Sequence, residues 1–468
     1  MTALVWFRRD LRVHDHPALQ AALERHEEVV PVFCLDDRLL AGRHRSGSRT
    51  QFMLECLHDL DRALAQRGGR LVVRHGPPDL QLLDLAREVG AQAVHHTYDV
   101  SPFARRRAEA VYRALRGVGV EVHGHPGLTV ADDVRAIATA QGQPYSVFTP
   151  FYRAWLAQPR RPVLGAPRRL GLPGVDPGQV PSLASLGLEQ EVHDPMVGGE
   201  TAGRRRLDAF LRSQVHRYAD AHDALGEDRT SRLSPYLRFG CVSPRAIENR
   251  LTEGDGQTAF RRQLAWRDFY AQVLFHHPEN AFSEFQARYR GTLEYREDEP
   301  AFEAWRYGRT GFPLVDAGMR QLLREGWMHN RARLVVGSFL TKDLGIDWRR
   351  GERWFMRLLI DGDEANNNGN WQWIASVGTD PQPVFRRIYN PALHMERHDP
   401  EGRYVRRHVP ELGNVPDVYL REPWTMPEEV QRTVGCRIGV DYPAPLLDRS
   451  SARERALDRY RTAAARGA

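Results

Sequence analysis

The hydrophobic positions of the first 130 residues occur in short runs that are separated by amphipathic stretches. The runs cover residues 3–7, 29–33, 71–73, 91–94 and 118–122. Between them, hydrophobic residues recur at helical spacing, most clearly over 49–67, 79–88 and 105–116. Strands that alternate with helices in this way predict an α/β domain with a parallel, doubly wound sheet. The layout is Rossmann-like, but no G-x-G-x-x-G follows the first strand, so the usual dinucleotide fingerprint is missing.

The pattern changes in the second half of the chain. Residues 159–199 are rich in Pro and Gly and have weak periodicity, which indicates a connector. Beyond residue 201 the periods are helical and strand signals are scarce, the clearest helical stretches being 207–218, 258–275, 302–306, 315–325, 330–341 and 348–360. We therefore predict an α/β domain over 1–130, an interdomain connector over 131–200 and an all-helical domain over 201–468.

Composition and cysteine usage narrow the class of protein. No apolar run approaches the roughly 18–20 residues that cross a bilayer, and the basic residues near the N-terminus follow the apolar ones, which is the reverse of a secretory signal. Four cysteines (Cys34, Cys56, Cys241, Cys436) lie far apart with no C-x-x-C pair, as expected for buried thiols in a reducing cytoplasm. We expect a cytoplasmic protein without a metal site.

The charged and aromatic residues are distributed unevenly. The net charge is +6, and Lys342 is the only lysine among 66 basic residues. A GC-rich coding genome explains the excess of arginine, although arginine also binds phosphate and stacks on bases well. Eight of the ten tryptophans lie in the helical half. Packing accounts for any one of them, but as a group they indicate stacking platforms for bases or a path for electrons.

Residues 361–373, Asp-Gly-Asp-Glu-Ala-Asn-Asn-Asn-Gly-Asn-Trp-Gln-Trp, are the most unusual segment. Asn and Gly make a poor helix interior, so a turn is a reasonable interpretation of 366–369 alone. A turn does not explain the flanking Asp and Trp residues. Carboxamides both donate and accept hydrogen bonds, which suits the alternating edge of a heteroaromatic ring such as a flavin.

Several segments, taken in chain order, establish a family resemblance. They are 4–12 (LVWFRRDLR), 145–151 (YSVFTPF), 230–234 (TSRLS), 266–270 (WRDFY), 311–316 (GFPLVD), 326–331 (GWMHNR), 342–349 (KDLGIDWR) and 361–373. The match runs in order from the first strand to about Pro445. On these segments the chain resembles the photolyase/cryptochrome family, and within it the microbial class I photolyases that repair cyclobutane pyrimidine dimers (CPDs). The resemblance implies a carbon–carbon lyase that binds FAD and DNA.

The resemblance also assigns residues to the cofactor. They are Tyr218, Thr230, Ser231, Arg232, Leu233, Ser234, Phe260, Arg333, Asp361, Gly362, Asp363 and Asn367. Residues 230–234 would hold the FAD phosphates, as hydroxyls and N–H groups entering a helix can do, although Thr230-Ser231 alone would be interpreted as a helix cap. Asp361 and Asp363 would lie at the ring edge and adenosine side, and Arg333 would pair with Asp361. Asn367 would lie opposite flavin N5.

Electron transfer is assigned by the same resemblance. Asn367, Trp371, Trp348 and Tyr295 are the expected catalytic residues, Trp371 and Trp348 being the first two members of the family's photoreduction chain. Tyr295 stands where the third member is normally tryptophan. Because tyrosine is hard to oxidise unless its proton can leave, either Tyr295 or a nearby tryptophan could be the terminal donor.

The expected lesion and DNA contacts are Gln263, Trp266, Arg267, Tyr270, Asn330, Arg331, Leu334, Trp373 and His394. A dimer flipped out of the duplex would stack on Trp266 and Trp373 and receive an electron from excited, reduced FAD (FADH⁻). Gln263 replaces the usual glutamate of CPD photolyases and is typical of (6-4) photolyases and cryptochromes. Leu334, His222 and His394 also depart from the common residues. Asn330 occupies the position of a histidine in (6-4) photolyases, which favours CPD repair.

The sequence also bears on an antenna chromophore and leaves several alternative functions open. Ser101-Pro102 replaces the Asn-Glu pair of folate-binding relatives, so a deazaflavin or flavin antenna is favoured over folate. The alternatives are a cryptochrome-like blue-light receptor, a (6-4) photolyase, an electron-transfer flavoprotein or an arginine-rich structural DNA-binding protein. The short end of the chain after the core and the intact Trp266 and Trp373 favour repair. The resemblance implies a bacterial monomer that binds no membrane. We expect it to bind DNA containing pyrimidine dimers and to be associated with the nucleoid when it does so.

Overall fold

A five-stranded parallel sheet forms the centre of the N-terminal half. In a computed structural model that describes residues 1–467, its strands are β1 (Thr2–Phe7), β2 (Glu28–Leu35), β3 (Val72–His75), β4 (Ala91–Thr97) and β5 (Glu121–His125). They lie in the order β3-β2-β1-β4-β5, and every neighbouring pair is parallel. The predicted doubly wound parallel sheet is confirmed. Its last strand begins at Glu121 rather than 118, because residues 117–120 form the turn that ends the preceding helix.

Helices cover both faces of this sheet. They are α1 (Pro17–Arg25), α2 (Asp37–Leu40), α3 (Gly47–Ala65), α4 (Pro78–Val89) and α5 (Pro102–Arg116), followed by α6 (Phe148–Leu156). Successive side chains of a strand point to opposite faces. Leu4 and Trp6 of β1 accordingly pack in one hydrophobic cluster with α4 and α5, whereas Val5 and Phe7 pack in another with α1 and α3. Burial on both faces explains why β1 and β2 are continuous apolar runs.

The second half is helical. Its helices are α7 (Glu200–Ser213), α8 (Tyr218–Ala221), α9 (Ser234–Arg238), α10 (Pro244–Asn249), α11 (Asp255–His276), α12 (Glu299–Arg306), α13 (Pro313–Glu325), α14 (Asn330–Ser338), α15 (Trp348–Leu358), α16 (Glu364–Ile374), α17 (Pro391–His398), α18 (Arg403–His408), α19 (Asp417–Leu420), α20 (Glu428–Val434) and α21 (Arg449–Arg466). A π-helical turn, Phe339–Asp343, follows α14. Over residues 126–467 the only β pairings are two isolated bridges, in agreement with the predicted all-helical half.

The proline-rich connector covers one edge of the sheet. The N–H of Val73 in the edge strand β3 donates to the carbonyl of Pro177 (2.7 Å), and Leu170 donates to Arg67 (2.7 Å). An edge strand that is covered in this way cannot pair with another chain.

The two halves share one hydrophobic core and several polar contacts. Phe7 and Leu57 belong to the same cluster as Phe260. Across the junction, Arg12 donates to the carbonyl of Gly240 (2.9 Å) and Arg9 pairs with Asp363 (2.6 Å). The α/β half therefore contacts Asp363, one of the predicted site residues.

A buried carboxylate on α11 holds the start of the connector. Asp268 is fully buried and accepts hydrogen bonds from the N–H groups of Val130 (2.9 Å) and Ala131 (3.1 Å) and from Trp155 Nε1 (2.9 Å). Burial raises its pKa to about 6, although these donors and Arg267 oppose the shift.

Two further properties concern membranes and metals. Within residues 1–467 no helix combines the length and apolar character that a membrane span requires. Over the same residues, no three His, Cys, Asp or Glu side chains are grouped so that they could hold a metal ion. All four cysteines are buried thiols.

Candidate active site

A cavity of about 290 Å³ lies between the helices of the second half. It is close to the lower end of the range for ligand sites, about 300–1,000 Å³. All the residues assigned to the cofactor border it: Tyr218, Thr230, Ser231, Arg232, Leu233, Ser234, Phe260, Arg333, Asp361, Gly362, Asp363 and Asn367. Four of the expected lesion residues (Gln263, Arg267, Asn330, Leu334) and Trp371 border it too.

The segment 361–373 is helical over most of its length. Asp363 caps α16 by accepting from the N–H of Asn366 (3.0 Å), so the turn considered for 366–369 is wrong. Tertiary hydrogen bonds compensate for poor propensity: Asn368 (2.8 Å) and Gln372 (3.0 Å) both donate to the carbonyl of Asn280. Gly369 is required here, because a Cβ would lie 2.2 Å from the ring of Tyr270.

Asp361 forms an ion pair with one oxygen and leaves the other for a ligand. Its Oδ2 accepts from Arg333 Nη2 (2.8 Å), which confirms the expected pair. Arg333 is held from behind, since its Nε donates to the carbonyl of Met328 (2.8 Å). Oδ1 is buried and has no partner.

Asp363 contacts the α/β half as well as the cavity. It pairs with Arg9 (2.6 Å), which the sequence did not predict. Burial opposes ionisation, but Arg9, Arg238 and Arg267 hold the pKa of Asp363 well below its usual value. A permanent negative charge at this junction therefore joins the sheet domain to the cavity wall.

The amide of Asn367 is oriented by a residue that the sequence analysis missed. Its Nδ2 donates to the carbonyl (3.1 Å) and to the carboxyl Oε1 (3.0 Å) of Glu352. Both amide hydrogens are used, so Asn367 offers its carbonyl oxygen to a ligand. Glu352 is buried on α15, and burial raises its pKa. Only the packing of α15 against α16 brings the two together.

The loop 230–234 presents hydroxyls before α9. Thr230 Oγ1 is buried without a partner, while Ser234 Oγ accepts from Trp327 Nε1 (3.2 Å). Arg232 has a positive φ of 48° and is bound by Asp228 (2.8 Å) and Glu325 (2.7 Å). The helix cap is Leu233, without a side-chain bond, so Thr230-Ser231 does not cap the helix.

The expected DNA residues outside the cavity lie in four places. Trp266 stacks on Phe148 with ring centroids 3.7 Å apart, and Tyr270 is buried beside Trp266. The guanidinium of Arg387 lies 3.9 Å from the ring of Trp373. His394 stacks beside Tyr389 (4.6 Å). Arg331 pairs with Asp223, which also contacts His222 (3.3 Å). The roles of these residues at DNA stay predictions.

The residues expected to carry electrons lie at the cavity wall and around a buried carboxylate. Trp371, at the cavity wall, lies edge-on to Trp305 (6.1 Å) and Phe355 (4.9 Å). A Cβ on Gly351 would lie 2.2 Å from Trp371, so glycine is needed to seat this indole. Trp348 is buried at the start of α15, and both Trp348 and Tyr295 contact Glu284.

The cavity residues fit a flavin nucleotide. A buried carboxylate oxygen without a donor, such as Asp361 Oδ1, suits the imide N–H of an isoalloxazine ring. The unpartnered hydroxyl of Thr230 suits a phosphate or ribose oxygen. Leu237, Leu264 and Ile374 supply apolar wall for a planar ring.

Comparisons with known proteins identify the family of the chain. The family model described as DNA photolyase matches residues 3–168, and the FAD binding domain of DNA photolyase matches residues 260–462. The chain is 43% identical over 462 residues to a deoxyribodipyrimidine photo-lyase from Streptomyces griseus, covering 97% of this chain and 98% of that one. It is 38% identical to a cryptochrome DASH from Gloeobacter violaceus, covering 96% and 93%.

A solved structure shows the same fold. A bacterial class III photolyase from Agrobacterium tumefaciens superimposes with a TM-score of 0.92 at 36% identity, covering 99% of this chain and 97% of that one. The chain therefore belongs to the photolyase/cryptochrome family and carries that family's photolyase and FAD-binding domains.

Proposed function

We propose that this protein uses light and bound FAD to split cyclobutane pyrimidine dimers in DNA. The observation that carries the proposal is that one cavity is bordered both by the cofactor residues and by Gln263, Asn330 and Leu334. A flipped-out lesion entering past these three side chains would lie directly against the flavin. Electron transfer needs this proximity and no acid–base group.

The residues around the cavity would hold and orient the cofactor. Asp361, fixed by Arg333, would accept from the imide edge of the ring, and Asn367, fixed by Glu352, would present its carbonyl oxygen near N5. The loop 230–234 would bind the phosphates. When bound and reduced, FAD supplies one electron to the dimer on absorbing light and recovers it after the ring has split.

Aromatic side chains support the DNA side of the proposal. Trp266 and Trp373 are half-buried, each backed by another planar group: Phe148 behind Trp266 and Arg387 against Trp373. Stacking of a base on such a platform contributes about 1–3 kcal/mol. We propose that a monomer binds the lesion in this way, which light scattering of the free and DNA-bound protein tests.

A repair assay tests the function. An oligonucleotide with one thymine dimer is incubated with the protein carrying chemically reduced FAD, in the dark and under near-ultraviolet light, and the products are separated by chromatography. We expect dimers to be lost only in the light. Retention of every dimer under light, with FAD shown to be bound and reduced, would refute the proposal.

Gln263 favours a second candidate, a (6-4) photolyase or a cryptochrome-like light receptor. It borders the cavity at the place where CPD photolyases usually carry glutamate. An amide can donate and accept towards a base, whereas a carboxylate only accepts, so Gln263→Glu should change the relative affinity for the two lesions. The assay is therefore run on CPD and (6-4) lesions in parallel, with exposed Gln141→Glu as the matched control.

We propose a deazaflavin or flavin antenna rather than folate. Arg8 and Arg107 lie over the ring of Trp6 (4.7 and 5.2 Å) near the carboxyl end of β1, and Arg8 Nη1 and Arg107 Nε have no hydrogen-bond partner. An anionic aromatic chromophore would complement this group. Binding of a flavin, with no binding of a methenyl-folate under the same conditions, is the expected result. The reverse preference would refute it.

A further inference from the structure

Tyr295 and Trp348 share a single hydrogen-bond acceptor. Tyr295 donates its phenolic O–H to Glu284 Oε1 (3.3 Å), and Trp348 Nε1 donates to the same oxygen (3.4 Å). The second oxygen of Glu284 pairs with Arg349 Nη2 (2.8 Å). Glu284 is 3% exposed and lies on the loop between α11 and α12. No pattern in the sequence identifies it.

In this arrangement Tyr295 has two different acceptors, Glu284 for its proton and Trp348 for its electron. Burial raises the pKa of this phenol, so Tyr295 keeps its proton until it is oxidised. A phenol that loses an electron becomes a strong acid, and a carboxylate already hydrogen-bonded to it can take the proton in the same event. Arg349 supplies the counter-charge that a buried carboxylate requires.

We propose that Glu284 accepts the phenolic proton of Tyr295 when Tyr295 gives an electron to Trp348. The O–H bond of Tyr295 breaks and an O–H bond forms on Glu284 Oε1. The electron restores the oxidised indole of Trp348 to neutral tryptophan, and Tyr295 is left as a neutral phenoxyl radical. The inference rests on the proposed function, because the oxidant at the far end is light-excited, oxidised FAD, reached through Trp371.

The return step needs a reductant. A thiol in solution would give one electron to the phenoxyl radical, and the proton would come back from Glu284. Arg349 and Asp347 are the charged side chains next to Glu284 and Trp348, and Arg349 also lies over the Trp348 ring (4.8 Å).

Trp305 is the alternative to Tyr295 as the terminal electron donor. It is fully buried and lies 6.1 Å from Trp371. Its indole N–H donates to the carbonyl of Val336 (3.0 Å), which cannot take up a proton. Oxidised Trp305 would therefore remain a radical cation in an apolar core. Oxidised Tyr295 becomes a neutral radical, because its proton moves to Glu284.

Flash photolysis of the chain carrying oxidised FAD tests the proposal. The transient absorption and electron paramagnetic resonance spectra of the tyrosyl radical are recorded in H₂O and D₂O. We expect the radical to form in the unmodified chain, at least about twofold more slowly in D₂O, and to be absent in Tyr295→Phe. In Glu284→Gln its formation should slow on the order of 10²-fold, the scale of a lost proton acceptor. The oxidised tryptophan should then persist for longer.

Two variants keep the result interpretable. Glu294→Gln removes an exposed carboxylate next to Tyr295 in sequence, which binds Arg466 instead, and should leave the radical kinetics unchanged. Glu284→Asp keeps an acceptor and should recover part of the radical yield even if Glu284→Gln perturbs folding. Equal tyrosyl kinetics and isotope effects in Glu284→Gln and the parent would overturn the proposal. Loss of the signal only in Trp305→Phe would do the same.

The proposed function is tested separately. Repair by the unmodified chain with chemically reduced FAD requires neither Tyr295 nor Glu284. Failure of that reaction counts against the repair function, whereas failure of the radical measurement counts against Glu284 alone.

Discussion

Replacing Asp361 with asparagine removes one negative charge from the cavity without changing its shape. In the folded chain the Asp361 side chain is 4% exposed, with Oδ2 bound to Arg333 and Oδ1 unpartnered. Asparagine has one acceptor and one NH₂ group. Whichever way the amide turns, its NH₂ faces either the guanidinium of Arg333 or the donor of the ligand. One hydrogen bond of the loaded site must therefore be lost.

The size of the effect follows from the charge of the lost bond. A hydrogen bond to a charged group contributes about 1.5–3 kcal/mol. Since 1.4 kcal/mol is tenfold in affinity, the dissociation constant for FAD should rise about 10–150-fold. The flavin-free chain should change by less than about 1 kcal/mol in its free energy of unfolding, because Arg333 is 26% exposed and the amide oxygen of asparagine can still accept its hydrogen bond.

The two quantities are measured independently. FAD is titrated into the flavin-free protein and followed by quenching of flavin fluorescence, and unfolding of the same preparation in urea is followed by circular dichroism. Asp417→Asn is the control, since Asp417 is 78% exposed in an ion pair with Arg406 and should shift FAD affinity by less than about twofold. FAD affinity of Asp361→Asn within about threefold of the parent would refute the assignment. So would a loss of stability as large as the loss of binding energy.

Three further predictions concern the fold. Asp268→Ala should lower the free energy of unfolding by at least about 3 kcal/mol in urea denaturation, because three buried donors lose their acceptor. Burial and neighbouring histidines lower the pKa of His95 to about 3 and of His125 to about 4, so the folded chain binds fewer protons than the unfolded chain below about pH 6.5. The free energy of unfolding should be highest above that pH and decrease as the pH drops towards 4. Urea denaturation midpoints at several pH values measure this decrease. Lys342 is 1% exposed and donates to the carbonyl of Ile374 (2.9 Å), so an amine-reactive ester should label Lys342 in urea but not in the native protein.

Each of these predictions has a control. Asp458→Ala removes an exposed carboxylate (74%) and should lower the free energy of unfolding by less than about 1 kcal/mol. A loss of stability in Asp268→Ala no larger than this would contradict the role of Asp268 in holding the connector. His125→Gln should reduce the slope of stability against pH, and an unchanged slope would show that the histidines do not contribute. Peptide mass spectrometry locates the label, and modification of Lys342 at the same rate in native protein and in urea would contradict its burial.

Much of the architecture could be predicted from the sequence because it depends on local pattern. The helix predicted over 79–88 is Pro78–Val89, and the one over 315–325 is Pro313–Glu325. The unusual residue types of 361–373 also pointed to a binding site, and residues of this segment do border the cavity. That a flavin binds there stays a prediction. The prediction that failed, a turn over 366–369, also failed for a physical reason. Local propensity favoured a turn at 366–369, but Asn368 and Gln372 are held in a helix by the distant carbonyl of Asn280.

The sequence by itself determined the order of the elements, the family and many of the residues around the cavity, because hydrophobic periodicity and contiguous motifs are properties of the linear chain. Only the tertiary structure decided which partner each polar group has. Arg9 pairs with Asp363 from the other end of the chain, Glu352 orients Asn367, and Glu284 joins Tyr295 to Trp348. Buried polar groups must find partners wherever packing brings them, and that choice is made between helices and not along them.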